Sequence, residues 1–247
     1  MRLVVAADAR EAARRAADRL EEALRRALAT RDAAALAVSG GRTPAAMLRE
    51  LFARPLPWGR IRTFQVDERV APRGSPDRNL TLLEEAARAG APGALEALRP
   101  MPVEDPDPEA AAAAYEALLV REAPEGLDAV HLGLGADGHT ASWPPGDPVL
   151  DEIGPGARRV AAVGPYAGRL RLTLTPRAVA EARRVVFLVL GSAKAGALAR
   201  LLRRDPALPA SRVPPRRAIA VADPAAAAGA TAGGGPRSPG PGRGPGR

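Results

Sequence analysis

Apolar runs of strand length recur along the chain at Arg2 to Ala7, Ala33 to Ser39, Ile61 to Val66, Leu127 to Leu134, Arg158 to Val163, Arg169 to Leu174, Val185 to Leu190 and Ala218 to Ala222. Several are apolar at almost every position, which suits a strand buried on both faces rather than one with a wet side. Between most of them the apolar positions return at intervals of three and four, at Ala9 to Ala29, Thr43 to Ala53, Asn79 to Arg88, Pro108 to Arg121, Pro176 to Arg183 and Ala193 to Arg203. That spacing predicts helices. Strand and helix in alternation predict an α/β fold, a largely parallel sheet with helices on both faces. At 247 residues the chain suits a single domain with a sizeable core. In such sheets ligands bind beyond the carboxyl ends of the strands, so the loops there are where chemistry is expected.

The pattern fails only at the end. From Gly233 to Arg247, eleven of fifteen residues are glycine or proline, too few apolar side chains to offset the entropy of ordering. The expected organisation is one domain over residues 1–227 and a disordered Gly/Pro/Arg-rich tail over 228–247. The stretch Ala225 to Ala232 suits either a last helical turn or the start of the tail.

Composition narrows the function. Three of the eight excess positive charges belong to Arg237, Arg243 and Arg247 in the tail, and the other arginines are interspersed with glutamates along helices. With aromatics at 3%, base-stacking platforms are scarce, and no nucleic-acid partner is expected. No apolar run approaches the roughly 18 to 20 residues that span a bilayer, and no signal- or transit-peptide pattern opens the chain, so no membrane partner and a cytoplasmic location are expected. The absence of cysteine removes disulfides, thiolate metal sites and a cysteine nucleophile together.

Four loops after predicted strands carry polar chemistry. In Ser39-Gly40-Gly41-Arg42-Thr43-Pro44, two glycines allow a sharp turn close to a ligand, Thr43 suits a helix cap and Pro44 the first helical position. Such a helix start attracts phosphate, although a plain strand-to-helix turn uses the same residues. Asp67-Glu68-Arg69, expected as a loop after Ile61 to Val66, suits a polar substrate or a solvated charge cluster. Gly133-Leu134-Gly135-Ala136-Asp137-Gly138-His139-Thr140-Ala141-Ser142 holds one of the two histidines, and His139 lies beyond the strand, where an imidazole works as base or acid near neutral pH. Asp137 is placed to orient that ring or to touch the substrate, while His131, inside the strand, reads as structural. The three glycines also match a dinucleotide fingerprint, but Trp143-Pro144-Pro145-Gly146 stops the helix that such a site requires. Finally, Gly191-Ser192-Ala193-Lys194 contains the one lysine among 36 basic residues. A compact ammonium where every other position uses arginine suits a phosphate held as a point charge.

Taken together, these loops, with Arg171-Leu172-Thr173-Leu174-Thr175 and Ala222-Asp223-Pro224-Ala225-Ala226, resemble the 6-phosphogluconolactonase family from about residue 2 to Ala227. The resemblance implies a Rossmann-like fold and hydrolysis of 6-phospho-D-glucono-1,5-lactone to 6-phospho-D-gluconate in the oxidative pentose phosphate pathway. It implies neither metal nor cofactor. A sugar phosphate is the implied partner of a monomer or weak homo-oligomer. By the same resemblance His139 is the base that activates water and Asp137 holds its geometry. Ser39, Gly40, Gly41, Thr43, Arg171 and Lys194 then bind phosphate, Asp67 and Asn79 line the substrate site, and Arg69 serves phosphate or oxyanion.

The chain departs from the family pattern at Trp143-Pro144-Pro145-Gly146, usually Leu-Phe-Pro-Gly, and at Arg78, usually serine, which puts substrate fit in question. Two alternatives belong to other classes. A glucosamine-6-phosphate deaminase or sugar-phosphate isomerase shares two of the motifs but uses a glutamate soon after the histidine, and here none follows before Glu152. A non-catalytic sugar-phosphate sensor normally carries a DNA-binding module, for which no room remains before the first strand.

Overall fold

A computed structural model describes residues 1–41 and 43–231. The elements run β1 (Arg2–Val5), α1 (Ala9–Leu28), β2 (Ala34–Val38), α2 (Ala45–Phe52), β3 (Ile61–Gln65), β4 (Asp67–Arg69), α3 (Asn79–Gly90) and β5 (Leu98–Arg99). They continue with α4 (Pro108–Glu122), β6 (Ala129–Leu132), β7 (Val160–Tyr166), β8 (Arg169–Leu174), α5 (Pro176–Glu181), β9 (Val185–Val189), α6 (Ala195–Leu202), β10 (Ala218–Ala222) and α7 (Pro224–Thr231).

Seven strands form one sheet in the order β1-β10-β9-β6-β2-β3-β5, every pair parallel. Alternate side chains divide between two cores, as the pleat demands. Leu36, Val38, Ile61, Val186, Leu188 and Val221 pack with Leu20 and Leu24 of α1, Leu48 and Leu51 of α2 and Leu83 of α3. Ala37, Phe64, Val130, Leu132, Phe187 and Val189 pack on the other side with Tyr115 and Leu119 of α4, Val179 of α5, Leu198 of α6 and Ala226 of α7. The continuously apolar runs are therefore strands covered twice. α1 starts on a reciprocal cap: the Asp8 carboxylate accepts from Glu11 N at 2.7 Å, and Glu11 accepts from Ala7 N at 2.6 Å.

Three features differ from the sequence expectation. β7 and β8 leave the parallel sheet and form a separate antiparallel sheet, in the order β4-β8-β7. The segment Asp67–Arg69, expected as a loop, is the third strand of that small sheet, paired with β8. The chain changes sheets at Val66, whose N–H donates to Val38 O at 2.9 Å and whose carbonyl accepts from Leu174 N at 2.7 Å. Three charged residues show no strand period because what pairs with them is a neighbour about a hundred residues away. Third, α7 runs to Thr231, so the expected boundary at Ala227 falls inside a helix whose start is capped by Asp223. The rest of the Gly/Pro/Arg-rich segment lies outside the described residues.

Candidate active site

β2 is followed in sequence by β3 on one side and paired with β6 on the other, so the winding of the sheet reverses between β2 and β6. Beyond the carboxyl ends of those two strands opens a cleft that contains all the loops singled out above.

The β2 loop enters this cleft through Ser39, Gly40, Gly41, Thr43 and Pro44; Arg42 lies outside the described residues. Ser39 is buried, and its hydroxyl donates to His131 O at 3.2 Å. Gly40 packs against α3 so closely that a Cβ would lie 2.4 Å from Asn79 Cβ, and Gly41 has φ +104. Thr43 does not cap the helix as expected. α2 begins at Ala45 after Pro44, which has no side chain able to cap it, and Thr43 stays exposed at the cleft.

β4 and the start of α3 supply the next wall. Glu68 is fully buried and satisfies its carboxylate from four sides: Arg69 N, Asn79 N, Leu80 N and Gln65 Nε2, all at 2.8 Å. Two of these are free N–H groups of α3, so Glu68 anchors that helix where a side-chain cap would otherwise stand. Asn79 then donates from Nδ2 to Asp67 O at 2.9 Å, while its Oδ1 accepts from Arg69 Nη1 at 3.3 Å. Asp67 accepts from Ser142 Oγ at 2.8 Å. Burial pushes the Asp67 carboxyl up, and the Ser142 hydrogen bond and the Arg171 charge oppose that only in part.

The β6 loop brings in His139. Its turn closes through Gly138 N to Gly135 O at 3.1 Å and Gly135 N to His139 O at 2.8 Å. A Cβ on Gly135 would sit 2.2 Å from His139 Nδ1, so only glycine leaves space for the ring. Nδ1 lies 2.6 Å from Asp137 Oδ1 and 3.0 Å from the Tyr166 hydroxyl. An ionised Asp137 accepts only, which puts the proton on Nδ1 and leaves Nε2 with its lone pair free. Partial desolvation pushes the Asp137 carboxyl up, but hydrogen bonds from the His139 backbone, the ring and Tyr166 outweigh this and hold it low. His139 lines the cleft, whereas Asp137 and Tyr166 do not. His131, as expected, stays in its strand; burial drives its ring down to about 3, so it is neutral.

Arg171 on β8 and Lys194, just before α6, complete the lining. Arg69 and Arg171 stand directly opposite each other on β4 and β8. Like charges so placed repel, a cost that an anion in the cleft offsets. Lys194 is delivered by a turn at Gly191, φ +87, whose N–H donates to both carboxylate oxygens of Asp223 at 3.0 Å.

Every site residue named from the sequence except Asp137 thus borders the cleft, and Asp137 holds one that does. Sequence reasoning missed Tyr166, Ser142 and the supporting roles of Glu68 and Asp223. For Asp223 a signal existed, a carboxylate immediately before a helix start, whereas Glu68 reaches the start of α3 from 11 residues away. Tyr166 and Ser142 had none, because their partners lie 29 and 75 residues away. Both departures from the family pattern lie outside the lining. Trp143 is fully buried and donates from Nε1 to Leu174 O at 2.7 Å. Arg78, equally buried, pairs with Glu68 at 3.1 Å and Glu104 at 2.7 Å. Glu152 is engaged by Arg158 N and Nε, away from the cleft. Among the described residues no group of three or more His, Asp or Glu side chains is placed to hold a metal ion.

Fold and cleft define an α/β protein with a cleft lined by Arg69, Arg171 and Lys194 at the switch point of a parallel sheet, beside a histidine backed by a carboxylate. A model of the family described as glucosamine-6-phosphate isomerases/6-phosphogluconolactonase matches residues 7–221. A 6-phosphogluconolactonase of Mesorhizobium japonicum is 37% identical over 186 residues, covering 72% of this chain and 75% of its own. One of Pseudomonas aeruginosa is 39% identical over 197 residues, 76% and 79% of the two chains. Among solved structures, a 6-phosphogluconolactonase from Thermotoga maritima superposes with TM-score 0.78 at 26% identity, over 90% of this chain and 98% of that one. A monomeric glucosamine-6-phosphate deaminase shares the fold, with TM-score 0.75 at 19% identity over 93% and 100%. This chain belongs to the glucosamine-6-phosphate isomerase/6-phosphogluconolactonase family.

Proposed function

We propose that the protein hydrolyses 6-phospho-D-glucono-1,5-lactone to 6-phospho-D-gluconate, with His139 as general base. The observation that carries this reading is the Asp137–His139 pair at 2.6 Å, beside a cleft lined by Arg69, Arg171 and Lys194. Nε2 of His139 takes a proton from water as its oxygen attacks the lactone carbonyl carbon. The tetrahedral intermediate then collapses, the bond from that carbon to the ring oxygen breaks, and the imidazolium returns the proton to the departing oxygen. Asp137 keeps the ring in one tautomer and offsets its transient charge. Arg171 and Arg69 face the anionic groups of the substrate, and the ammonium of Lys194, without an ion-pair partner among the described residues, is available to the phosphate.

Lactone rings of this kind open unaided in water, so the test measures acceleration over background. Freshly generated lactone near pH 6.5 is followed with wild type and His139→Ala. The expected result is clear acceleration by the wild type and a loss of about 10²- to 10⁴-fold in the variant, with its fold intact. Equal acceleration by both removes His139 as base; acceleration by neither removes the activity.

A further inference from the structure

We infer that Tyr166 is a positioning residue of this site, which ties the Asp137–His139 pair to Arg171 so that base and anion-binding cation are held by one side chain. The inference rests on the lactonase reading above.

Five contacts converge on this tyrosine. Its hydroxyl donates to Asp137 Oδ2 at 3.0 Å, while Oδ1 of the same carboxylate faces His139 Nδ1 at 2.6 Å. The hydroxyl oxygen also lies 3.0 Å from Nδ1 itself. Its ring meets the imidazole edge to face, with centroids 5.6 Å apart. The Arg171 guanidinium carbon lies 5.1 Å from the centre of the ring, and Arg171 Nε donates to the Tyr166 carbonyl at 3.3 Å. The tyrosine ends β7 at the tight connection into β8, the strand that carries Arg171.

The two halves of the residue do different work. Asp137 is exposed and His139 about one third exposed, so an aspartate alone would hold the ring weakly against solvent. The hydroxyl fixes the second carboxylate oxygen and takes up part of its charge. Partial burial and the neighbouring Asp137 push the phenol up to about 12, so it remains a donor throughout the working range. The ring, in turn, gives the buried Arg171 an aromatic surface. Other charged groups of the cleft near the imidazole are Arg171 on β8, Asp67 and Arg69 on β4, and Lys194 before α6. The segment 208–210, packed against Gly138, adds no titratable side chain.

The test compares kcat, KM and pH profile for wild type, Tyr166→Phe and Tyr166→Leu, with His139→Ala as control and thermal melts to confirm folding. Tyr166→Phe keeps the ring and loses the hydroxyl. Its kcat is expected to fall about tenfold with KM within about twofold, and the acid limb of the profile to move to higher pH, because the unshared Asp137 charge then favours the imidazolium. In an NMR titration without substrate, the His139 resonance of this variant moves in the same direction. Tyr166→Leu removes the surface under Arg171 as well and raises KM about fivefold. Wild-type kcat with an unmoved acid limb in Tyr166→Phe overturns the inference, as does a fall in kcat with KM rising equally and no move of the limb. If the wild type accelerates and His139→Ala does not, those outcomes sink the tyrosine role alone. If the wild type itself gives no acceleration, the lactonase reading fails and takes this one with it.

Discussion

Single residues here are constrained less by what they do than by what stands beside them. Gly135 illustrates this, because a methyl group at its α-carbon would overlap the histidine ring at 2.2 Å and the Asp137 carboxylate at 2.4 Å. Gly135→Ala is therefore expected to fold, since the overlap is with a partly exposed side chain that can swing away. Its kcat should fall at least about a hundredfold from the displaced base. Steady-state kinetics beside a melting curve checks this, and a variant with wild-type kcat shows that the ring has another way to reach its working position. Gly40 follows the same logic against Asn79, but there the neighbour is buried and cannot move aside.

At the scale of elements, the site depends on carboxylates that do not line the cleft. Glu68 anchors the start of α3, and Asp223 both caps α7 through Ala226 N at 2.8 Å and fastens the Gly191 turn that presents Lys194. Asp223→Ala frees that turn. The expected result is a rise in KM of about fivefold with kcat changed less, together with about 1 kcal/mol of lost stability from the missing cap. Kinetics and denaturant titration separate the two effects, and a stability loss without any change in KM contradicts the link to Lys194. The elements themselves were largely legible. The long amphipathic α1 and the apolar β9 and β10 follow from periodicity because each buries a face whose repeat is written in its own residues. β4 was not legible, since Asp67, Glu68 and Arg69 are made a strand by pairing with β8 and not by any pattern of their own.

For the whole molecule, a buried histidine in the sheet makes stability depend on pH. His131 is buried between Val38 and Val186 on neighbouring strands, and neither ring nitrogen has a hydrogen-bond partner among the described residues. Its folded-state affinity for protons is depressed to about 3 by burial, well below the unfolded value of about 6.5. Between those values the unfolded chain binds a proton that the folded one refuses. Stability is therefore lost as pH falls through that window, at about 1.4 kcal/mol per pH unit from this group. His131→Leu is expected to flatten that slope and to be at least as stable as wild type at pH 8. Denaturant midpoints from pH 4 to 8 test it, and parallel curves for the two proteins remove His131 as the cause.

The sequence by itself determined the α/β alternation, the double burial of the central strands and the placing of His139 and Lys194 beyond strand ends. Each of these is a local matter, because burial imposes a period on neighbouring residues and glycine marks where the chain must turn. Only the tertiary structure decided that β4 leaves the parallel sheet to pair with β8, which sets Arg69 opposite Arg171. The same is true of Ser142 reaching Asp67 and of Tyr166 reaching Asp137 and His139. Those contacts depend on strand register and on which sheet a strand joins, and both are fixed by packing between segments that share no local pattern.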